Sequence, residues 1–256
     1  MDSTVDKSLV RKFCAVPPGH DNDLIPSILN ICRNEKIEMM IPTVDEELLS
    51  ISANIDIFKR NGIVVFSSDL DTVKVCQDKY LTFKEFNSKG IPVPTSWLPS
   101  ELYKSRLIYP VLVKPRVGRG GRGITVAHSD RELKQIQMDD SYIVQEFASG
   151  QEYDTIAFVH NRNILELRLL KKTRLEHGEY GNALEAIETI DEDVAKLSEK
   201  VLSSFAFAGP IDMDIRRLDG KPVVLEVNPR VSANIYKVRS LLDRMISIGA
   251  TIIGSI

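Results

Sequence analysis

Two short segments near residue 220 alternate acidic or amide side chains with apolar ones. In "IDMDIRR", Asp212 and Asp214 are two residues apart, and in "VVLEVNPR", Glu226 and Asn228 are spaced in the same way. Because side chains of a β-strand alternate between its two faces, each pair would point to one face of its strand. If Asp219-Gly220 forms the turn between the strands, two carboxylates and an amide converge. Oxygen ligands of this kind are typical of a Mg²⁺ site.

An ion pair is the alternative interpretation for one of these carboxylates. Glu226 lies in an apolar stretch, where an ionised carboxylate is costly unless a cation or a metal neutralises it. A salt bridge from Glu226 to Arg230 or Arg216 would meet that need. We favour the metal interpretation, and the salt bridge stays open at this point.

A glycine-rich segment, "KPRVGRGGRG", covers residues 114–123. Gly118, Gly120 and Gly123 fit the dinucleotide pattern G-x-G-x-x-G, but that fingerprint needs a helix directly after the glycines. Here "ITVAHS" follows, which predicts a strand, and no Lys-Ser or Lys-Thr completes a Walker motif. The segment predicts a hairpin tip whose backbone N–H groups and flanking cations could surround a polyphosphate. The alternative is a solvated basic hairpin. The flanking cations are Lys114, Arg116, Arg119 and Arg122.

A third segment, "YIVQEFASGQEY", predicts a strand that ends near Gln145 and Glu146 and leads into a short linker. The backbone of such a linker can offer N–H and C=O groups to the edge of a base. Glu152, seven residues after Gln145, is placed to accept hydrogen bonds from ribose hydroxyls. An ordinary interdomain linker would have the same pattern.

The elements that must position these residues change character along the chain. Residues 12–75 alternate short apolar runs with helix-period segments, beginning with a predicted strand at "KFCAVP", and this indicates βαβ units with a parallel sheet. From Tyr109 onward, strands predominate, with hairpins predicted near Asn161 and at Asp219-Gly220. A parallel α/β front is thus followed by an antiparallel α+β remainder. The least structured spans are predicted at 96–108 and 174–190.

Bulk composition excludes several classes of protein. The chain has 256 residues and a formal net charge of −3, which argues against a nucleic-acid or membrane partner read from charge. Its apolar runs are all shorter than the roughly 20 residues that span a bilayer. Cys14, Cys32 and Cys76 are too far apart to suggest a zinc site or a disulfide framework. We expect a cytoplasmic protein.

Taken together and in this order, the segments resemble the ATP-grasp superfamily, especially its branch related to the carbamoyl phosphate synthase large chain and to amino-acid ligases. The resemblance is carried by "DKYLTFKEFNSKGIPVPTSW", "YPVLVKPRVGRGGRGI", "YIVQEFASGQEY" and "VVLEVNPR". It implies an α/β domain at residues 1–75, shortened at its N-terminus, and an ATP-grasp domain at 76–256. A small mobile lid at about 109–148 and an antiparallel α+β lobe at 149–256 would hold ATP between two sheets.

The resemblance also implies a role for individual residues. The metal ligands would be Glu226, Asn228 and an aspartate on the preceding strand. The motif spacing of the single-domain ligases places that aspartate at Asp214, which we prefer, and the spacing of the synthase places it at Asp212, which stays open. Arg230 would stabilise the transferred phosphoryl group. The γ-phosphate candidates are Lys172 and Arg174. The implied ATP-binding residues are Lys79, Lys114, Gly118, Arg119, Gly120, Gly121, Gly123, Gln145, Glu146, Phe147, Ala148 and Glu152.

The activity that the resemblance implies is a ligation that consumes ATP and uses Mg²⁺ or Mn²⁺. A small-molecule carboxylate would become an acyl phosphate, which an amine or a thiol would then attack. A carbamoyl-phosphate-synthase-type kinase on bicarbonate or carbamate is an alternative, and a non-catalytic nucleotide-binding subunit is another. The chain departs from the family pattern in its shortened front and in Gly121, where serine is common. The shortened front leaves open a homo-oligomer or a partner subunit that completes the N-terminal domain.

Overall fold

The computed structural model describes residues 11–118 and 120–254, which form three sheets with helices around them. The helices are α1 (Leu24–Glu35), α2 (Asp45–Ala53), α3 (Ile55–Arg60), α4 (Leu70–Gln77), α5 (Lys79–Ser88), α6 (Asp130–Leu133), α7 (Glu192–Ser204) and α8 (Arg239–Ile253). Short 3₁₀ helices cover Pro99–Lys104 and Ile235–Lys237.

The front of the chain is a small parallel α/β unit. Strands β1 (Met39–Met40) and β2 (Val64–Val65) pair in parallel, with α2 and α3 between them in sequence. Two aspartates begin the next helices, because the Asp69 side chain accepts from the Thr72 amide and Asp78 caps α5. The predicted parallel α/β front is confirmed.

Two antiparallel sheets follow. The smaller has the strand order β3-β6-β4-β5 and the larger has the order β11-β10-β7-β8-β9. The strands of the smaller sheet are β3 (Ser96–Trp97), β4 (Val111–Pro115), β5 (Thr125–Ala127) and β6 (Tyr142–Glu146). Those of the larger are β7 (Glu152–His160), β8 (Asn163–Leu175), β9 (Ala183–Thr189), β10 (Gly209–Leu218) and β11 (Lys221–Asn228).

The larger sheet is covered unequally on its two faces. One face packs with α5 and α7 into an apolar core that includes Phe86, Val201 and Met213. The other face is apolar only at one end, where Phe158 packs with Phe66 and with Met245 of α8. The remainder of this second face carries charged side chains and looks onto the smaller sheet. The core therefore fixes the sheet while leaving one polar surface for chemistry.

Two local predictions were wrong. Residues 12–17 form no strand, because Phe13 and Val16 remain about half exposed and gain no buried surface there. Both spans predicted to be the least structured contain regular elements: β3 and a 3₁₀ helix lie in 96–108, and in 174–190 Ala183–Thr189 forms β9, which pairs with β8. The alternation in "ALEAIET" is the signal that was missed. The glycine-rich segment does join two antiparallel strands, β4 and β5, as predicted.

Candidate active site

A cleft of about 280 Å³ lies between the two antiparallel sheets. Its lining combines apolar side chains with many charged groups. The lining residues that matter below are Leu112, Lys114, Gly121, Ile124, Gln145, Glu152, Asp154, Lys172, Asn182, Asp212, Asp214, Arg216, Leu225, Glu226, Asn228, Arg230, Ser232 and Asn234.

Strand register builds the charged face of the larger sheet. Asp212 stands opposite Asn228, and Asp214 stands opposite Glu226. On its other side, Asp214 stands opposite Asp154 of β7. Because neighbouring strands of a sheet are about 4.8 Å apart, three adjacent strands place these oxygens within reach of one ligand. The predicted convergence on one face is therefore confirmed.

Lys172 lies at the centre of this face and is shared by two carboxylates. Its Nζ is 2.7 Å from Oε1 of Glu152 and 2.5 Å from Oδ1 of Asp214. Burial alone would lower the pKa of Lys172, but the charges of Asp214 and Glu152 outweigh it and raise the pKa well above its usual value. Lys172 is therefore a permanent cation of the cleft. Arg216 adds a second one, 3.7 Å from Oε2 of Glu152.

Arg230 joins the front unit to the larger sheet. Its Nε donates to Oδ1 of Asp45 at 2.9 Å, and its Nη1 donates to Oδ2 of Asp212 and to the Val231 carbonyl, both at 3.0 Å. Asp45 begins α2, so the helix holds the guanidinium from one side while β10 holds it from the other. Among the described residues Nη2 has no hydrogen-bond partner, which leaves it for an oxygen of a ligand.

Two lysines enter from the side of the smaller sheet. Lys79, the first residue of α5, is 3.2 Å from Oε2 of Glu226 and donates to the Gly118 carbonyl at 2.7 Å. Lys114 on β4 is buried beside it. Burial and then the charge of Lys79 lower the pKa of Lys114 to about 8, despite the opposing charge of Glu226. Lys79 thus pairs directly with Glu226, while Lys114 lines the cleft together with the carboxylates.

Asp212 and Asp154 crowd each other at one end of the cleft. Burial, followed by the neighbouring charge of Asp154, raises the pKa of Asp212 well above its usual value, and Arg230 opposes this only in part. Asp154 accepts from Nδ2 of Asn234 at 2.7 Å and from Oγ of Ser232 at 3.3 Å, both at Oδ2. Two carboxylates side by side make this end of the cleft attractive to a cation.

Gln145 lines the cleft and stands opposite Leu112 in the smaller sheet, and Ile124 and Leu225 are further apolar residues of the lining. Its amide nitrogen donates to Oγ of Ser96 at 2.9 Å, which fixes the orientation of the side chain. Its Oε1 is buried and has no partner among the described residues. A buried acceptor without a donor costs free energy, so this oxygen is suited to a donor group of a flat apolar ligand.

The hairpin between β8 and β9 contacts the glycine-rich loop and closes the cleft from above. A Cβ built on Gly121 would be 3.1 Å from Cα of Gly181, and one built on Gly120 would be 3.8 Å from the Asn182 side chain. Gly121 has a φ of +68° and Gly181 a φ of +98°, which is backbone that favours glycine. The loop and the hairpin thus form a glycine-to-glycine contact over the ligand space.

Replacing Gly121 with alanine should separate this contact. We expect about a tenfold weaker binding of ATP, measured by titration calorimetry, since the new methyl group needs space that Gly181 occupies. Gly178→Ala is the matched control, because Gly178 has a similar φ of +77° in the same hairpin but nothing within 4 Å of a Cβ. If the two variants lost ATP affinity equally, backbone strain would explain the effect, and the contact between Gly121 and Gly181 would not be needed for binding.

Comparison with known protein families shows to which family this chain belongs. Residues 76–234 match the family described as an ATP-grasp domain. The chain belongs to the ATP-grasp family. Residues 7–66 match a second family, described as a PylC-like N-terminal domain. The predicted family and fold, with a parallel front and two antiparallel sheets around the cleft, are confirmed.

Individual relatives are distant and mostly longer. The carbamoyl phosphate synthase large chain of Clostridium beijerinckii is 23% identical over 226 residues, which are 81% of this chain and 21% of that protein. The structure of an L-amino acid ligase from Bacillus licheniformis superposes with a TM-score of 0.67 at 17% identity, covering 88% of this chain and 57% of that one. A D-alanine–D-alanine ligase from Bacillus anthracis, complexed with ATP, gives 0.60 at 17% identity, covering 91% and 84%.

ATP-grasp enzymes use ATP and Mg²⁺, and the donor atoms here fit that metal. Asp214, Glu226 and Asn228 offer only oxygens in reach of it, which is the chemistry of a Mg²⁺ site. Lys172 and Lys79 each neutralise one of the two carboxylates in the present arrangement. The described residues contain no preformed group of three acidic, histidine or cysteine side chains for a metal. Mg²⁺ needs only one or two carboxylates when phosphate and water oxygens complete its shell.

Several predicted site residues of this ATP-grasp chain lie elsewhere. The side chain of Arg174 is 61% exposed and pairs with Glu185, because a register shift in β8 after Lys172 turns it away from the cleft. The side chain of Glu146 accepts from the Thr95 amide, and that of Phe147 packs under the guanidinium of Arg216. The predicted binding of adenine by the backbone of Phe147 and Ala148 stays a prediction. Gly123 does not line the cleft, and Arg119 lies outside the described residues.

Sequence reasoning missed several residues that line the cleft, among them Asp154, Asn182, Arg216 and Asn234. Arg216 continues the alternation of Asp212 and Asp214, and Asp154 continues that of Glu152, so both had a readable signal. Asn234 and Asn182 had none, because they reach the cleft from loops whose path the alternation does not predict. Glu226 pairs with Lys79 rather than with Arg230 or Arg216, so the ion-pair alternative named the wrong partners. No helix in the described part of the chain has the length and apolar character to span a membrane.

Proposed function

We propose that this chain activates a carboxylate with ATP and Mg²⁺ and joins it to an amine or a thiol. The carrying observation is that cations from the smaller sheet and carboxylate oxygens from the larger sheet face each other across one cleft. Lys114 and the glycine-rich loop come from the smaller sheet, and Asp214, Glu226 and Arg230 come from the larger. Phosphoryl transfer depends mainly on positioning and charge neutralisation, which this arrangement supplies.

The nucleotide would lie with its base against the apolar residues of the lining. Leu112 and Ile124 on one side and Leu225 on the other offer a slot for a flat ring. The orphaned Oε1 of Gln145 would accept a hydrogen bond from the amino group of adenine. Glu152, whose oxygens already bind Lys172 and Arg216, retains lone pairs for ribose hydroxyls.

The polyphosphate would run from Lys114 toward the carboxylates. Lys79, Lys114 and the N–H groups of the glycine-rich loop would bind its oxygens. Asp214, Glu226 and Asn228 would hold Mg²⁺, which supplies neutralisation of the charge on the transferring phosphoryl group. Lys172 would then shift part of its interaction from Asp214 to a phosphate oxygen.

The proposed reaction has two steps. An oxygen of the substrate carboxylate attacks the γ-phosphorus, the bond to the β,γ-bridging oxygen breaks, and ADP leaves. The amine or thiol then attacks the carbonyl carbon, loses its proton, and phosphate leaves with the oxygen that the carboxylate contributed. Arg230, held rigidly by Asp45 and Asp212, offers its Nη2 to the transferred group in both steps.

A second candidate is favoured by one observation. The similarity to the carbamoyl phosphate synthase large chain covers 81% of this chain, so bicarbonate or carbamate could replace the organic carboxylate. The cleft chemistry is the same, and only the phosphorylated acid differs. A non-catalytic nucleotide-binding role is the remaining alternative.

ADP release from Mg·ATP separates these candidates. Pools of amino acids and other small carboxylates, and bicarbonate, are each assayed with and without amine acceptors. Release that depends on one organic carboxylate supports the ligase, and release that depends on bicarbonate alone supports the second candidate. Binding of Mg·ATP with no stimulated release by any pool would contradict both and leave the nucleotide-binding role.

We expect Lys114 to take up a proton when ATP binds. Its pKa of about 8 means that it is partly neutral just above pH 8, and a polyphosphate beside it should favour the charged form and raise that pKa. Phosphate groups titrate near pH 6 (about two units lower), so they contribute little in this range. Calorimetry at about pH 8.5 in buffers of different ionisation enthalpy should show the uptake. Lys114→Arg stays charged and should abolish it, and an unchanged uptake in that variant would contradict the assignment.

A further inference from the structure

One carboxylate oxygen of the cleft remains unexplained by the proposed roles. Asp154 is 2% exposed and lines the cleft, and its Oδ2 is held by Asn234 and Ser232. Its Oδ1 is buried and has no hydrogen-bond partner among the described residues. These two donors fix the orientation of the carboxylate and leave Oδ1, on the side chain that adjoins Asp212, without a donor of its own. A buried carboxylate oxygen without a donor is costly and calls for a ligand that donates.

The surrounding charges define the ligand as a cation. Asp212 adjoins Asp154, so two carboxylates meet where Arg230 bonds only one of them. Lys172 and Arg216 are nearby cations as well, but Lys172 donates to Glu152 and Asp214, and Arg216 pairs with Glu152. Asp154 therefore lies within a cluster that has more negative than positive charge. A neutral or anionic ligand would leave that imbalance in place.

A protonated amine fits this position better than a metal. An ammonium group brings three donors and one charge, which matches one open oxygen of Asp154 and the neighbouring Asp212. Arg230 bonds Asp212 and keeps Nη2 available, so a carboxylate on Arg230 and an ammonium on Asp154 would be separated only by Asp212. That spacing suits one small molecule carrying both groups.

We propose that Asp154, with Asp212 beside it, binds the ammonium group of the carboxylate substrate, so that the cleft selects amino acids over hydroxy or unsubstituted acids. The proposal rests on the proposed function for its orientation of the substrate carboxylate. It assigns Asp154 to specificity rather than to phosphoryl transfer.

The test compares amino acids with their matched analogues in both binding and turnover. The twenty common α-amino acids and β-alanine are paired with the corresponding hydroxy and unsubstituted acids. Binding is measured by calorimetry on protein loaded with Mg²⁺ and a non-hydrolysable ATP analogue, and turnover by ADP release. We expect at least one amino acid to bind about 10- to 100-fold more tightly than its analogues. Asp154→Asn should remove that preference, whereas Asp243→Asn, at an exposed position of α8, should keep it.

The outcomes separate this proposal from the proposed function. Amino-acid binding that depends on Asp154 without any turnover would support the ammonium site and contradict the ligase. Turnover or binding with equal preference for the analogues would overturn the ammonium site while the ligase stands. The melting temperature gives a third readout, because removing one of two adjacent like charges should leave it equal or higher. A lower melting temperature with unchanged preference would make Asp154 a structural residue and overturn the proposal.

Discussion

Replacing Lys172 with methionine should lower the free energy of unfolding by about 3–5 kcal/mol. Methionine keeps much of the length of the side chain but removes the cation that Glu152 and Asp214 share. The side chains of Lys172 and Glu152 are both more than nine-tenths buried, so solvent compensates only in part for the lost partner. Removing one member of a buried ion pair leaves an uncompensated charge, and that penalty exceeds the original contribution of the pair. Urea unfolding at pH 7 measures the change.

Arg174→Met is the matched control on the same strand. Arg174 is separated from the cleft by the register shift in β8, and its pairing with Glu185 is largely exposed. Exposed pairs contribute little, so we expect a change within about 1 kcal/mol. A similar loss in the two variants would contradict the central position of Lys172 in the charge network.

Glu226→Gln should reduce carboxylate-dependent ADP release by about 100- to 1000-fold. The amide has nearly the same shape as the carboxylate but loses the charge that pairs with Lys79 and that would bind Mg²⁺. Lys79 would then lose its ion pair with Glu226 and keep only the hydrogen bond to the Gly118 carbonyl. Steady-state kinetics over a range of Mg²⁺ concentrations measure both the loss and an increased requirement for the metal.

Glu185→Gln provides the control, since Glu185 lies on β9 outside the cleft and is largely exposed. It should keep wild-type kinetics. If Glu226→Gln retained full activity with an unchanged Mg²⁺ requirement, Glu226 would not be a metal ligand. If Glu226→Gln melts at the wild-type temperature, unfolding cannot be the cause of its lost activity.

Local patterns in the sequence predicted much of the cleft. The alternation of Asp212 with Asp214 and of Glu226 with Asn228 predicted a shared face, which the cross-strand register confirms. The residues after the glycine-rich segment predicted a hairpin rather than a dinucleotide turn. These predictions succeed because strand alternation is a local property that the chain shows within a few residues.

Contacts between distant segments could not be predicted in the same way. Arg230 bonds Asp45 across 185 residues, and no local pattern relates a helix start in the front unit to a loop after β11. The shift in β8 turned Arg174 outward, although its spacing from Lys172 suggested a common face. A β-bulge changes the phase of a strand by one residue, and its position depends on the partner strand. The orphaned oxygens of Gln145 and Asp154 likewise follow from tertiary packing.

The central claim is that a substrate carboxylate becomes an acyl phosphate in this cleft. The most direct measurement uses the carboxylate identified by the ADP-release assay, labelled with ¹⁸O in both oxygens, together with its amine or thiol acceptor. An acyl phosphate requires that one labelled oxygen leave with the phosphate, so mass spectrometry should find one ¹⁸O in each phosphate released. Phosphate without ¹⁸O, formed at the same rate as the ligation product, would contradict the claim and point to activation by another route.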